Sequence, residues 1–61
     1  SRNMKDFLTL TEMVTYVSER LGDEKGAARV VEIIDKHGDS VQVGTNQFSK
    51  AKLDELLRAS S

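Results

Sequence analysis

The stretch Gly38-Asp39-Ser40-Val41-Gln42-Val43-Gly44-Thr45-Asn46-Gln47-Phe48-Ser49-Lys50-Ala51-Lys52-Leu53-Asp54-Glu55-Leu56-Leu57 decides how this chain folds. Gly38 reads as the end of a helix. Val41 and Val43 alternate with Gln42, as a short half-buried strand does. Gly44-Thr45 has the composition of a two-residue hairpin turn with glycine first, as a type II′ turn requires, and Asn46-Gln47-Phe48 would be the returning strand. An irregular extended segment fits the same residues as well, so hairpin and extended wing both stay open. Either way the piece is too short to stand alone and has to lean on helices. Ser49 then caps a last helix, with Phe48 and Leu53 at hydrophobic-staple spacing around it. Leu53, Leu56 and Leu57 give that helix its core face, and Lys50, Lys52, Asp54, Glu55 and Arg58 stay in water.

Two helices precede this closing piece. Thr9-Leu10-Thr11-Glu12 fits a capping box, with Leu8 and Met13 as its staple. Leu10, Val14, Val17 and Leu21 follow at helical spacing, and Met13 and Tyr16 widen the stripe. Gly22 is the expected C-cap. Asp23-Glu24-Lys25-Gly26 reads as a connector with Asp23 as N-cap, and the glycine places the true start of the second helix nearer Ala27. Ala27, Val30, Val31 and Ile34 then repeat at helical spacing with Ile33 alongside. Arg29, Glu32 and Lys36 take the other side, Lys36 and His37 suit the negative end of the helix, and Gly38 stops it. The expected core is Leu10, Val14, Val17, Leu21, Val30, Val31, Ile34, Val43, Phe48, Leu53, Leu56 and Leu57.

The architecture expected is therefore mainly α: three short helices with a minimal β-hairpin or extended wing between the second and third. Residues 1–8 are an N-terminal arm in which Ser1-Arg2-Asn3 reads as a cloning remnant ahead of Met4. Residues 9–58 are one helical domain, and 59–61 a frayed C-terminus. At 61 residues there is room for one small core and a thin stability margin. The chain has no cysteine and no proline, and its net charge is -1 with acids and bases interleaved. Disulfides and thiolate metal sites are excluded. No apolar run is long enough to span a bilayer. An intracellular setting, cytoplasmic or nucleoid-associated, is the expected one.

The residues also weigh against catalysis. His37 is the only histidine, and it stands at an expected helix end, where it serves the helix dipole more readily than a nucleophile. Asp23-Glu24 and Asp54-Glu55 read as solvated helix charges rather than acid/base dyads. Counted as a calcium loop from Asp35, the third place is His37, the sixth Ser40, the eighth Gln42 and the twelfth Asn46, so the ligand pattern fails. Gly22, Gly26, Gly38 and Gly44 are too dispersed for a phosphate loop. The first helix lacks the basic polar face of a membrane-surface helix. No enzyme activity, cofactor, metal or small-molecule ligand is expected.

Binding remains. Leu10-Thr11-Glu12, Leu21-Gly22, Ala27, Val30, Gly38, Val41, Val43-Gly44, Phe48-Ser49, Leu53 and Leu57 together resemble the small winged helix-turn-helix domains of the excisionase and MerR-like DNA-binding family. The resemblance covers nearly all of the chain from Leu8 onward. It implies that the second helix enters the major groove of double-stranded DNA, that the hairpin is a wing on the backbone or minor groove, and that the third helix closes the core. Lys25, Arg29 and Lys36 on the second helix would then contact base edges and phosphates. Gln42, Thr45, Asn46 and Gln47 would serve the wing, and Lys50 and Lys52 would hold backbone. Asp23 and Glu24 would repel phosphate at the leading end of that helix, and so few free cations give weak nonspecific affinity. A dimer or second domain would then be needed for avidity. The other reading is a protein-interaction or dimerisation module. It would use the small Ala27 and Ala28 and an exposed hairpin edge, with Met13, Tyr16 and Ile33 at the margins of the apolar stripes as candidate contacts.

Overall fold

The computed structural model describes residues 5–59. The expectations for Ser1–Asn3, Met4, Ser60 and Ser61 fall outside them. The elements in order are β1 (Phe7–Leu8), α1 (Leu10–Leu21), α2 (Asp23–Val41), β2 (Gln42–Gly44), β3 (Gln47–Ser49) and α3 (Lys50–Ala59). Three helices with a small hairpin between the second and third is the architecture expected. The three strands form one antiparallel sheet in the order β1-β3-β2, with Leu8 opposite Phe48 and Gln42 also opposite Phe48.

β1 replaces the final part of the expected arm. A two-residue strand leaves no alternation to read. Its place is fixed by pairing with β3, by the Lys50 amide donating to the Asp6 carbonyl at 3.1 Å, and by the buried Leu8 side chain. The capping box of α1 forms in full. The Glu12 amide donates to Thr9 Oγ1 at 3.2 Å, and the Thr9 amide donates to Glu12 Oε1 at 2.9 Å. Leu8 and Met13, its staple pair, both lie in the core.

Gly22 takes φ +92 and joins α1 directly to α2, so the expected connector from Asp23 to Gly26 is helix instead. Gly26 is buried at the fourth position of α2. A Cβ built on it would come within 2.5 Å of Ser18 Cα and 2.8 Å of Ser18 N. The glycine is there because two helix backbones meet at that point, which outweighs its poor helix propensity.

That contact sets the rotation of α2. Its core face runs through Gly26, Val30, Ile33 and Val41, one step away from the expected Ala27-Val30-Val31-Ile34 stripe. Val31 and Ile34 are therefore exposed, and Ile33, expected at the margin, is fully buried. α1 is rotated in the same way. Met13 and Val17 are buried, Val14 is partly buried, and Leu10 and Leu21 are exposed.

α2 also runs through Gly38 to Val41, so the expected stop at Gly38 and strand residue at Val41 are both corrected. Val41 packs into the core from the last turn of the helix, and Val43 on β2 faces outward. The hairpin turn is Thr45-Asn46 rather than Gly44-Thr45. Asn46 takes the positive φ of 53, and Gly44 belongs to β2. Phe48 and Leu53 are buried as expected, with Leu56 and Leu57 partly buried against them. The Lys52 amide donates to Ser49 Oγ at 3.2 Å, the N-terminal cap read from the sequence.

Candidate docking face

Most of the cations expected to meet DNA are engaged within the fold. Arg29 lies against α3: its guanidinium donates to Glu32 Oε1 at 2.7 Å and to the Leu56 carbonyl at 3.4 Å, and its side chain is 17% exposed. Lys36 pairs with the other oxygen of Glu32 at 3.2 Å. These two cations hold the Glu32 carboxyl below the ordinary glutamate range, Lys36 contributing most. Lys52 pairs with Glu55 at 2.7 Å and lowers its carboxyl in the same way. Lys25 is exposed and makes no ion pair among the described residues.

Lys50 belongs to a cluster that joins α1 to α3. The Tyr16 hydroxyl donates to Asp54, the Arg20 guanidinium reaches Asp54 at 3.2 Å, and Lys50 reaches it at 3.4 Å. Arg20 and Lys50 also lie over the Tyr16 ring, 4.4 and 5.1 Å from its centroid. Burial of Asp54 alone would raise its pKa. The hydrogen bonds from Tyr16 and Arg20 and the charge of Lys50 outweigh that, holding the carboxyl below the ordinary aspartate range. The sequence offers no signal for this cluster beyond Tyr16 at a stripe margin, because Tyr16 and Arg20 lie more than thirty positions from Asp54 along the chain.

The wing residues divide. Thr45 and Gln47 are exposed, and Gln42 folds its side-chain amide onto the Gly44 carbonyl at 3.1 Å. Asn46 is structural. Its Oδ1 accepts from the Leu10 amide at 2.7 Å, so the hairpin caps the start of α1. Asn46→Ala should cost about 1–2 kcal/mol, since alanine tolerates the left-handed conformation poorly. Asn46→Gly keeps that conformation and gives up only the acceptor to an exposed amide, and should cost less than half as much. Thermal melts of the two variants check this order.

What remains open is the outward side of α2. Val31 is 67% exposed and Ile34 38%. With exposed Ala27 they stand at i, i+4 and i+7, so they form one strip along the helix. The ionisable residues three or four places from that strip are Asp23, Glu24, Asp35 and His37. Asp39 follows one turn beyond Asp35, lining a shallow depression with Ile34, Gly38 and the hairpin residues Gln42, Gly44 and Thr45. Asp23, Glu24, Asp35 and Asp39 form no ion pair with any described residue. Lys25, Arg29 and Lys36 sit on the opposite flank of the helix, turned away from the strip.

Among the described residues there is no group of three metal-ligating side chains, and no helix long and apolar enough to cross a membrane. Comparison of the chain with protein-family models, curated proteins and solved structures gave no match.

Proposed function

We propose that this chain is a non-enzymatic protein-interaction domain that docks a partner on the outward side of α2. The observation that carries the reading is the exposed Ala27-Val31-Ile34 strip bordered by acids without internal partners. A helix face built to enter a DNA groove needs the reverse, with free cations outward and acids engaged. In this chain the cations of α2 and α3 largely satisfy Glu32, Asp54 and Glu55. The small Ala27 on the strip favours close approach of another backbone, and the strip lies on a helix already packed against α1 at Gly26.

DNA binding stays as a second reading because one arrangement favours it. α1 and α2 are joined through the single residue Gly22, and a hairpin follows α2 at once, which is the helix-turn-helix and wing order of the resembled family. Lys25 with Thr45 and Gln47 would then be the contacts. An amide-shift titration with mixed-sequence duplex DNA, at low and then physiological salt, separates the two. Docking through the acidic face predicts no shifts along α2 even at low salt. Salt-sensitive shifts at Lys25, Arg29 and Thr45–Gln47 would overturn it in favour of DNA.

A further inference from the structure

We infer that the partner seated on α2 is a basic amphipathic α-helix, not a second copy of this chain; the inference rests on the docking reading above. Its basis is charge complementarity along a strip with a defined length and period. Asp23, Glu24 and Asp35 border the apolar residues, and Asp39 lies a turn beyond Asp35 in the depression that reaches Ile34; none of the four forms an ion pair with a described residue. From Glu24 to Asp39 the helix advances about 22 Å at its ~1.5 Å rise per residue. An occupant that covers the strip and meets both ends of the acidic border is a helix of about four turns. Its leucine- or isoleucine-type seam would lie on Ala27, Val31 and Ile34, with lysines or arginines flanking the seam.

A second copy fits this face badly. Two-fold pairing puts the same patch on both sides, so the acids of one α2 would face the acids of the other. Lys25 and Lys36 cannot relieve that repulsion, because they lie on the far flank of the helix and Lys36 is already paired with Glu32. Like charges juxtaposed at an interface select against that partner. A helix of opposite charge gains on both counts: its apolar seam covers Val31 and Ile34, and its cations complete the four carboxylates.

The test uses the whole chain and two labelled peptides followed by fluorescence anisotropy. One is an amphipathic helix with a leucine seam flanked by lysines; the other has glutamates in place of the lysines. Wild type should bind the lysine peptide and not the glutamate peptide. The double variant Asp35→Lys/Asp39→Lys changes two exposed side chains and should lose at least about tenfold in affinity for the lysine peptide while gaining the glutamate one. The variant Asp6→Lys/Glu55→Lys makes the same change in net charge elsewhere and should stay within about twofold of wild type. Equal loss in both variants, or none in the first, overturns the assignment. Sedimentation of the chain alone gives the remaining distinction. Self-association removed by Val31→Ser would make a second copy the occupant, overturning the basic helix while leaving the docking reading intact. If the lysine peptide does not bind and the chain does not self-associate, the docking reading falls together with it.

Discussion

Exchanging Gly26 for alanine should lower the thermal midpoint, and the same exchange at Gly38 should raise it. Both glycines lie inside α2, and neither has a positive φ. Propensity alone predicts that both substitutions stabilise, by up to about 1 kcal/mol. The surroundings separate them. At Gly38 an added methyl meets nothing within 4 Å, so the gain stands. At Gly26 it would lie 2.5 Å from the Cα of Ser18, and backbone cannot step aside as a flexible side chain can. The α1–α2 crossing would have to open, at a cost on the order of 1–3 kcal/mol or more for overpacking. In a domain of this size each kcal/mol moves the midpoint by about 4–8 °C, so a melt resolves the two signs easily. A stabilising Gly26→Ala would mean that the helices do not meet at Ser18.

The second large effect is at Phe48. It is the core residue of β3, the central strand, paired with Leu8 on one side and Gln42 on the other. It packs with Leu53 at the start of α3, and with Met13, Val17 and Ile33 from the other two helices in the same core cluster. Truncation to alanine removes a buried ring from this core cluster and should cost about 3–5 kcal/mol. Total stability for a chain of this length is on the order of 3–9 kcal/mol, so the variant should be largely unfolded at ambient temperature. Circular dichroism of Phe48→Ala beside wild type reads this directly. An unchanged midpoint would remove Phe48 from the centre of the fold.

The elements with local chemical signatures are legible in the sequence. The Thr9/Glu12 box, the Gly22 break, the Ser49 cap and the Phe48–Leu53 pair each depend on residues within five positions of one another. Helix rotation is not legible. α2 carries Val30, Val31, Ile33 and Ile34 in one run, and periodicity alone cannot choose which of two adjacent faces is buried. The choice is made at Gly26, whose meaning lies in a contact eight residues away with Ser18. Propensity treats a glycine near a helix start as a weak point, whereas here the missing Cβ is what matters. The same face, carried along α2 past Gly38, puts Val41 in the core, while Val43 on β2 faces outward.

The site is legible residue by residue but not as a surface. Arg29, Lys36, Lys50 and Lys52 are cations on helices, and the sequence does not say which acids they will meet. The i, i+4 pair of Glu32 and Lys36 is visible. The second claim of Arg29 on Glu32 and on α3, and the meeting of Tyr16, Arg20 and Lys50 at Asp54, require the fold. Once those pairs are made, the unpartnered carboxylates of α2 stand beside an apolar strip that the rotation of the helix exposes. The docking reading follows from that remainder.

The most direct test of the α2 surface is an amide-shift map of the chain titrated with the lysine-flanked amphipathic helix at physiological salt. Shifts should concentrate at Ala27, Ala28, Val31, Ile34 and Asp35, surviving the salt because apolar contact carries part of the affinity. A map centred instead on the hairpin and the start of α3, or one that vanishes as salt is raised, would contradict it.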